Sequence, residues 1–351
     1  MRWTVVVPGA LLPAPIAADV IGAAAAPHLA RLVARARIGA PQSAATATAG
    51  AAHWGWLWRR FAGRDDVPVT APYAWRALNE SDLQADADDS LLWQADPVHF
   101  AVARDHVLAV PLDDADALDH AETIALASEA EACARTMDVR LRVLDRHWFI
   151  RFDRPWSLVA TPLDAALGES IQPLLPTGPD SARWRRLLTE IQIAWHHHPV
   201  NAAREARGAR AVNGLWLHGG GAYTTFPACG LTQVASDEPA VRGWALAAGV
   251  PAAAVAAEAT AITARGDALI LWPRLLTSSR AEAWHAWLAG LAALDAWLDR
   301  FARHAFASGA EVELVLCGSR QTRTMVIGAG DRWRIWRNIP LVDVMTESPV
   351  R

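Results

Sequence analysis

The segment HHHPVNAAREARGARAVNGLWLHGGG, residues 196–221, joins a basic stretch of helical character to an apolar strand that ends in three consecutive glycines. Glycine has no Cβ and tolerates positive φ, so the backbone of the glycines at 219–221 can approach a ligand closely. Its amide groups can also form a concave anion-binding nest. Arg204, Arg207 and Arg210 lie just upstream, and guanidinium groups suit a phosphate or a carboxylate. The segment therefore predicts an anion site.

The same features have a purely structural interpretation. A strand commonly ends in a glycine turn, and three adjacent glycines match neither the spacing of a P-loop nor that of a dinucleotide-binding fingerprint. Arginines three residues apart also form solvated helix faces. The residues alone leave both interpretations open.

The segment resembles the cofactor-independent phosphoglycerate mutases, above all the archaeal type. The matching positions are residues 198–201 (HPVN), Arg204, Gly208, Asn213, the glycines at 219–221, Gly230, Leu231, residues 240–249 and residues 95–98 (ADPV). Residues 95–99, 198–201, 204–208 and the WRIWR string at 333–337 resemble, more closely still, bacterial regulatory proteins of the RpfE type. The resemblance implies an α/β fold of mixed sheets with flanking helices, a trimmed scaffold of the alkaline-phosphatase superfamily.

The metal centre of the mutases has no counterpart in this sequence. The resemblance implies an Asp-Gly pair at the end of the first strand, whereas this chain has Pro8 and Gly9, and proline has no ligating group. Beyond residue 250 the only histidines are His285 and His304, and neither lies beside an aspartate. His218 stands where the archaeal mutases usually have arginine. The sequence thus predicts a retained substrate-binding half with no catalytic residue, no metal and no cofactor.

Other histidines offer weak alternatives for metal binding. Asp-His pairs occur at 105–106 and 119–120, and a histidine tract occurs at 196–198. A two-metal centre needs several such groups to converge, and adjacent residues on a helix point about 100° apart. We interpret the pairs as surface residues, and His198, which precedes a proline, as the end of a helix.

Composition limits the class of protein and its partners. Hydrophobic residues make up 52% of the 351 residues and charged residues 20%, which is typical of a folded chain. The net charge of -4 argues against general nucleic-acid binding. Tryptophans at 54, 56 and 58 precede Arg59 and Arg60 and could stack nucleobases, but a core built on tryptophan explains them equally well. No nucleic-acid partner is predicted, and a protein partner stays open.

The sequence predicts a cytoplasmic protein. Three cysteines, Cys133, Cys229 and Cys317, have no short pairing or metal-binding spacing, which indicates reduced thiols. Prolines at 8, 13 and 15 interrupt the apolar N-terminus, so a buried strand and loop are favoured over a signal peptide. No other apolar run is long enough to cross a membrane, so no membrane contact is expected.

Interleaved helical and strand patterns predict α/β architecture. The predicted parts are an N-terminal α/β lobe at 1–152, a Pro/Gly-rich connection at 153–180 and a C-terminal α/β lobe at 181–351, with one shared domain as the alternative. The main predicted elements are a first strand at 3–7, helices at 16–37, 51–62, 115–136, 181–198, 240–249 and 281–306, a linker at 39–50, a hairpin at 139–152, buried strands at 215–217 and 268–272, and a closing meander at 311–317, 322–327 and 333–337.

Three functions remain open from the sequence. The favoured one is a non-catalytic regulatory or sensing protein, a pseudoenzyme that binds a small phosphorylated or carboxylate ligand, with Arg204 exposed to meet it. The predicted ligand-binding residues are Asp96, Asn201, Arg204, Arg207, Asn213, His218, Gly219, Gly220, Gly221 and Arg242. The alternatives are an active metal-dependent phosphomutase or phosphatase with a relocated metal site, and a protein-interaction scaffold without a ligand. The missing metal ligands favour the first and third.

Overall fold

The chain folds as two compact units. The computed structural model describes residues 1–79, 91–103, 106–112, 116–255, 262–263, 265–333 and 337–348. Unit 1 combines Met1–Pro68 with Thr225–Arg351, and unit 2 is the intervening Val69–Thr224. This division differs from the predicted lobes, because the stretch at 153–180 belongs wholly to unit 2 and contributes Trp156 and Ile171 to its core. Prolines and glycines interrupt helices and strands, but they do not by themselves separate domains.

Strands and helices alternate along the described chain. The strands are β1 (Arg2–Pro8), β2 (Arg37–Ile38), β3 (Gln42–Ser43), β4 (Leu92–Val102), β5 (Val107–Pro111), β6 (Val139–Leu144), β7 (His147–Phe152), β8 (Gly214–Gly221), β9 (Leu231–Ala235), β10 (Ala252–Ala253), β11 (Asp267–Leu271), β12 (Glu311–Cys317) and β13 (Gln321–Ile327). The helices are α1 (Ala14–Gly22), α2 (Pro27–Arg35), α3 (Ala52–Ala62), α4 (Ala71–Leu78), α5 (His120–Arg135), α6 (Leu163–Ala166), α7 (Ser181–His196), α8 (Pro199–Ala206), α9 (Pro239–Ala247), α10 (Leu276–Arg280), α11 (Trp284–Ala307) and α12 (Leu341–Met345). The predicted α/β class is confirmed.

Unit 1 is built on a mostly parallel sheet of order β10-β9-β11-β1-β12-β13-β2, with β3 also paired to β13. Strand β1 is central and runs parallel to both β11 and β12, whereas β13 is antiparallel to β12. Its sequence, RWTVVVP, is almost continuously apolar because both faces of a central parallel strand are covered. The carboxyl ends of β1, β11 and β12 therefore lie at one edge of the sheet.

The core of unit 1 lies between this sheet and helices α2 and α11. Trp3, Val5 and Val7 of β1 pack with apolar residues that recur along α11, including Trp287 and Leu294. The α11 carboxylate of Asp295 is buried and accepts a 2.6 Å hydrogen bond from the backbone N of Leu29 in the first turn of α2. This bond supplies the N-terminal cap that Ala26, at the cap position, lacks.

One predicted element of unit 1, the long first helix, was wrong. The helix at 16–37 is interrupted after Gly22, because Pro27 starts a second helix at a position where its missing N–H costs nothing. Residues 37 and 38 instead pair with β13. The third strand of the predicted meander, at 333–337, falls largely on residues 334–336, which lie outside the described part of the chain; Trp333 is the last residue of a 3-10 helix, Ala329–Trp333.

Unit 2 contains an antiparallel sheet of order β5-β4-β7-β6, with β8 also paired to β4. The predicted hairpin at 139–152 is confirmed as β6 and β7, which turn at Asp145 with φ 53°. Helices α5 and α7 pack with this sheet, and the Trp195 indole Nε1 donates to the backbone O of Leu126 at 3.0 Å. No helix within the described residues combines the length and apolarity needed to cross a membrane.

Candidate functional site

The three glycines lie inside β8 rather than in a turn after it. Gly219 has φ +65°, and its backbone O accepts a 2.9 Å hydrogen bond from the N of Thr70, the residue before α4. A Cβ at Gly219 would collide with the Thr70 hydroxyl, which itself donates to Gln94 on β4. Glycine is therefore required at position 219 because Thr70 of the same chain packs closely against this part of β8.

Side chains of unit 2 also occupy the space beside the next two glycines. A Cβ at Gly220 would collide with the ring of Trp93, and one at Gly221 would lie 2.6 Å from the side chain of Val69. The space above the backbone that the sequence assigned to a ligand is occupied by unit 2 itself. A ligand role for these glycines stays a prediction and would require these side chains to move.

Arg204 is fully buried, with 0% of its side chain exposed, which contradicts the expected exposure. Its Nη1 donates to Glu122 at 2.7 Å, its Nε donates to the backbone O of Arg210 at 2.7 Å, and its Nη2 donates to the backbone O of Asp116. Arg207 donates to the second carboxylate oxygen of Glu122 at 2.6 Å. All three nitrogens of Arg204 are thus used within the protein.

Arg210 completes this arginine cluster, which we define as Asp116, Glu122, Arg204, Arg207 and Arg210. Its Nη1 donates to one carboxylate oxygen of Asp116 at 2.6 Å, and its backbone N donates to the other at 2.9 Å. Glu122 also forms a capping box at the start of α5. The cluster ties α5 to α8 and to the loop that follows α8, while Arg207 and Arg210 remain about half exposed.

The two predicted asparagines hold backbone in place. Asn201 is buried; its amide donates to the backbone O of Trp195 and of Val212, and its carbonyl accepts from the N of Val212, each at 2.8 Å. Asn213 forms the same two-way pair with the backbone of Phe100, at 2.6 and 3.1 Å. The Asn213 bonds extend the β4–β8 pairing, and the Asn201 bonds tie α8 to the end of α7 and to the segment before β8, so both asparagines have structural roles without a ligand.

Arg242 belongs to unit 1, whereas the other nine predicted ligand residues belong to unit 2. Its Nη1 donates to the backbone O of Ser236 and of Asp237, both at 3.0 Å, beyond the end of β9. These bonds fasten the loop between β9 and α9.

Asp96 and His218 form a pair that the structure does bring together. They lie on the neighbouring strands β4 and β8, and the imidazole Nε2 is 2.7 Å from a carboxylate oxygen of Asp96. The side chains are 24% and 12% exposed, so the pair is accessible at its edge. This arrangement can orient the imidazole.

Asp96 also lines a cleft of about 370 Å³ in unit 2. The other lining residues are Pro97, Pro111, Leu112, Ala117, Leu118, Thr123, Arg146, His147, Trp148 and Leu163. Sequence reasoning missed Arg146, which lies in the tight turn of the β6–β7 hairpin, and His147 and Trp148, which begin β7. The two adjacent basic residues at the turn, Arg146 and His147, are the signal that could have drawn attention to this position.

The carboxyl edge of the unit 1 sheet is closed at its centre. After β1, Gly9 has φ +76°, and a Cβ there would lie 2.7 Å from the backbone O of Leu275. The indole Nε1 of Trp287 donates to the Gly9 carbonyl at 2.8 Å, and Trp287 and Leu275 are both fully buried. At the end of β12, Cys317 is buried, and burial raises the pKa of its thiol.

A C-terminal segment is bound beside this edge. Glu347 accepts hydrogen bonds from the Ser319 hydroxyl at 3.1 Å and from the backbone N of Arg320 at 2.9 Å, in the turn after β12. Its own backbone N donates to the O of Leu12, which follows β1. This segment is thus fastened to the connections that follow β1 and β12.

The weak metal candidates have other partners. His198 accepts a 3.2 Å hydrogen bond from the N of Val200 and caps α8, and His196 and His197 contact each other edge to face. Asp119 caps α5, and Asp105 lies outside the described residues. Among the residues that the structure describes, no group of three or more His, Cys, Asp or Glu side chains could hold a metal ion.

Comparison with known proteins shows the fold but no family. No protein-family model and no curated protein sequence matches the chain. The PH0037 protein from Pyrococcus horikoshii aligns with a TM-score of 0.52 and 12% identity, over 94% of this chain and 87% of that one. A cofactor-independent phosphoglycerate mutase from Thermoplasma acidophilum aligns with a TM-score of 0.39 and 14% identity, over 94% and 90%. The first similarity establishes a shared fold, and the score of the second is too low to add to it.

Proposed function

We propose that the protein is a non-catalytic regulatory or sensing protein on a phosphoglycerate mutase-like scaffold, which binds a small phosphorylated or carboxylate ligand in the cytoplasm. The observation that carries the proposal is the closed edge of the unit 1 sheet at Gly9. In open α/β sheets, ligands bind outside the carboxyl ends of the parallel strands. Here that position is filled by backbone and an indole instead of ligating side chains.

The chemistry at this edge supports the absence of phosphoryl transfer. Metal-assisted transfer needs carboxylate and imidazole groups arranged around two ions close together. Strand β1 ends in Pro8, which has no ligating group, and any side chain at Gly9 would meet the backbone of Leu275. The Trp287 indole bonds the Gly9 carbonyl from the buried side. Opening this edge would disrupt the core between β1 and α11.

The ligand-binding part of the proposal draws on the accessible polar groups of unit 2. The arginine cluster holds three guanidinium groups against two carboxylates, and Arg207 and Arg210 keep about half of their side chains in solvent. The Asp96–His218 pair borders a cleft. Buried Arg204 and Asn201 would then support the site from within rather than contact the ligand.

Two measurements test the proposal. Conversion of 3-phosphoglycerate to 2-phosphoglycerate, assayed with manganese or cobalt present, is expected to stay at background. Metal-dependent turnover of about 1 per second or faster would overturn the non-catalytic assignment. Elemental analysis of untagged, dialysed protein is expected to find no stoichiometric zinc or manganese, and about one ion per chain would revive a relocated metal site.

Ligand binding is tested separately by thermal shift with 3-phosphoglycerate, inorganic phosphate and small carboxylates. A ligand of the native state raises the melting temperature progressively with its concentration. Absence of a shift with every anion would remove the sensing role and favour the interaction-scaffold alternative.

A further inference from the structure

The cleft in unit 2 is lined by both charged and apolar side chains. Arg146, His147 and Asp96 line it together with two prolines and three leucines. Its volume of about 370 Å³ falls at the lower end of the range for small-molecule pockets. That size suits a compact organic acid better than a nucleotide.

Arg146 differs from the other arginines around the β6–β7 hairpin. Arg140 pairs with Asp153, Arg142 with Glu131 and Arg154 with Asp138. Arg146 has no ion-pair partner among the residues that the structure describes, although it lines a cleft. A guanidinium left without a carboxylate beside a cavity is suited to an external carboxylate.

Trp148 supplies a second and independent observation. It lines the cleft, none of its side chain is exposed, and its indole Nε1 has no hydrogen-bond partner among the described residues. Buried N–H groups are nearly always paired, so each exception calls for an acceptor. A ligand oxygen in the cleft is one such acceptor.

Asp96 does not oppose an anion here as an isolated carboxylate would. One of its carboxylate oxygens lies 2.7 Å from His218 Nε2 and is thus already engaged within the protein. The Arg146 guanidinium, which has no ion-pair partner among the described residues, is available for the ligand.

We infer that this cleft binds a small organic carboxylate with an apolar body, such as a six-carbon acid. Arg146 and His147 contact the carboxylate, and Leu112, Leu118 and Leu163 contact the apolar body. The inference rests on the ligand-binding part of the proposed function and names its site and ligand class.

Isothermal titration of the full chain with hexanoate and benzoate tests the inference, with inorganic phosphate and 3-phosphoglycerate as anions that lack an apolar body. Arg146→Gln is the test variant, and Arg154→Gln is the matched control, because Arg154 is an exposed arginine of the same region that does not line the cleft. Losing one charge-assisted contact is expected to weaken hexanoate binding about tenfold or more in Arg146→Gln. Arg154→Gln should bind like the unmodified protein.

The outcomes separate this inference from the proposed function. Absence of hexanoate and benzoate binding, or equal binding to Arg146→Gln and the unmodified protein, would overturn the cleft assignment. If phosphate or 3-phosphoglycerate still raises the melting temperature in that case, the sensing function stands and its site lies elsewhere. Carboxylate binding together with metal-dependent turnover would support the cleft and refute the non-catalytic assignment.

Discussion

Replacing Arg204 should destabilise unit 2 rather than simply weaken ligand binding. In Arg204→Ala, the carboxylate of Glu122 and the backbone carbonyls of Asp116 and Arg210 each lose a donor in a buried setting. Breaking a buried ion pair from one side typically costs about 3–5 kcal/mol. Glu122 keeps its 2.6 Å bond to Arg207, so we expect the lower end, about 3 kcal/mol.

The assay is urea unfolding followed by tryptophan fluorescence, since the core of unit 2 contains Trp148, Trp184 and Trp195. A loss of about 3 kcal/mol corresponds to a fall in melting temperature of roughly 6–12 °C for a unit of this size. Arg207→Ala is the control: its side chain is half exposed and shares the same carboxylate, so its loss should stay below about 1 kcal/mol.

The result that would refute this reasoning is an Arg204→Ala protein no less stable than Arg207→Ala. That outcome would mean that the buried guanidinium contributes nothing net, because its desolvation offsets its bonds. Addition of Glu122→Gln to both variants measures the coupling directly through a double-mutant cycle. A small coupling energy for Arg204 with Glu122 would place its role in the bonds to the two carbonyls instead.

Three further outcomes follow from individual contacts. Gly219→Ala should lower the free energy of unfolding in urea by about 2–4 kcal/mol, because the new Cβ would be strained at positive φ and would collide with the Thr70 hydroxyl. The control Gly208→Ala, at φ +78° with open space around it, should lose only about 1 kcal/mol. Equal losses of stability would show that packing at Gly219 is irrelevant. The hydrogen bond from Arg37 holds the pKa of Glu311 below its ordinary value, so the carboxylate stabilises the fold above the unfolded-state pKa, and this stabilisation is lost as the pH falls through the folded-state pKa. Glu311→Gln should therefore lower the free energy of unfolding by up to about 1 kcal/mol at neutral pH and by nothing in strong acid. A loss of stability that persists in acid would contradict the ion-pair account. Burial raises the pKa of Cys317, so a thiol reagent should label only the other two cysteines in the folded protein, and labelling of all three before unfolding would show that β12 opens readily.

The candidate site shows where sequence reasoning reached its limit. The basic segment and its glycines were recognised as unusual, and the structure gives each of them a definite environment. The local sequence around Arg204 does not show whether the side chain is exposed to solvent or paired within the protein. Its partner Glu122 lies 82 residues away in the chain. The Asp96–His218 pair spans 122 residues. Contacts over such separations leave no local pattern, so neither burial nor pairing could be inferred.

The sequence by itself determined the α/β class, the apolar strand β1, the β6–β7 hairpin and the absence of a ligating group at Pro8. These features depend on local periodicity, turn chemistry and residue type, which act within a few residues. Only the tertiary structure decided that unit 2 is inserted between residues 68 and 225 of unit 1, and that β13 pairs with residues 37–38. It also decided that the glycines of β8 accommodate Thr70 and Trp93. Those outcomes depend on which distant surfaces bury each other, and burial is a property of the assembled fold rather than of any segment.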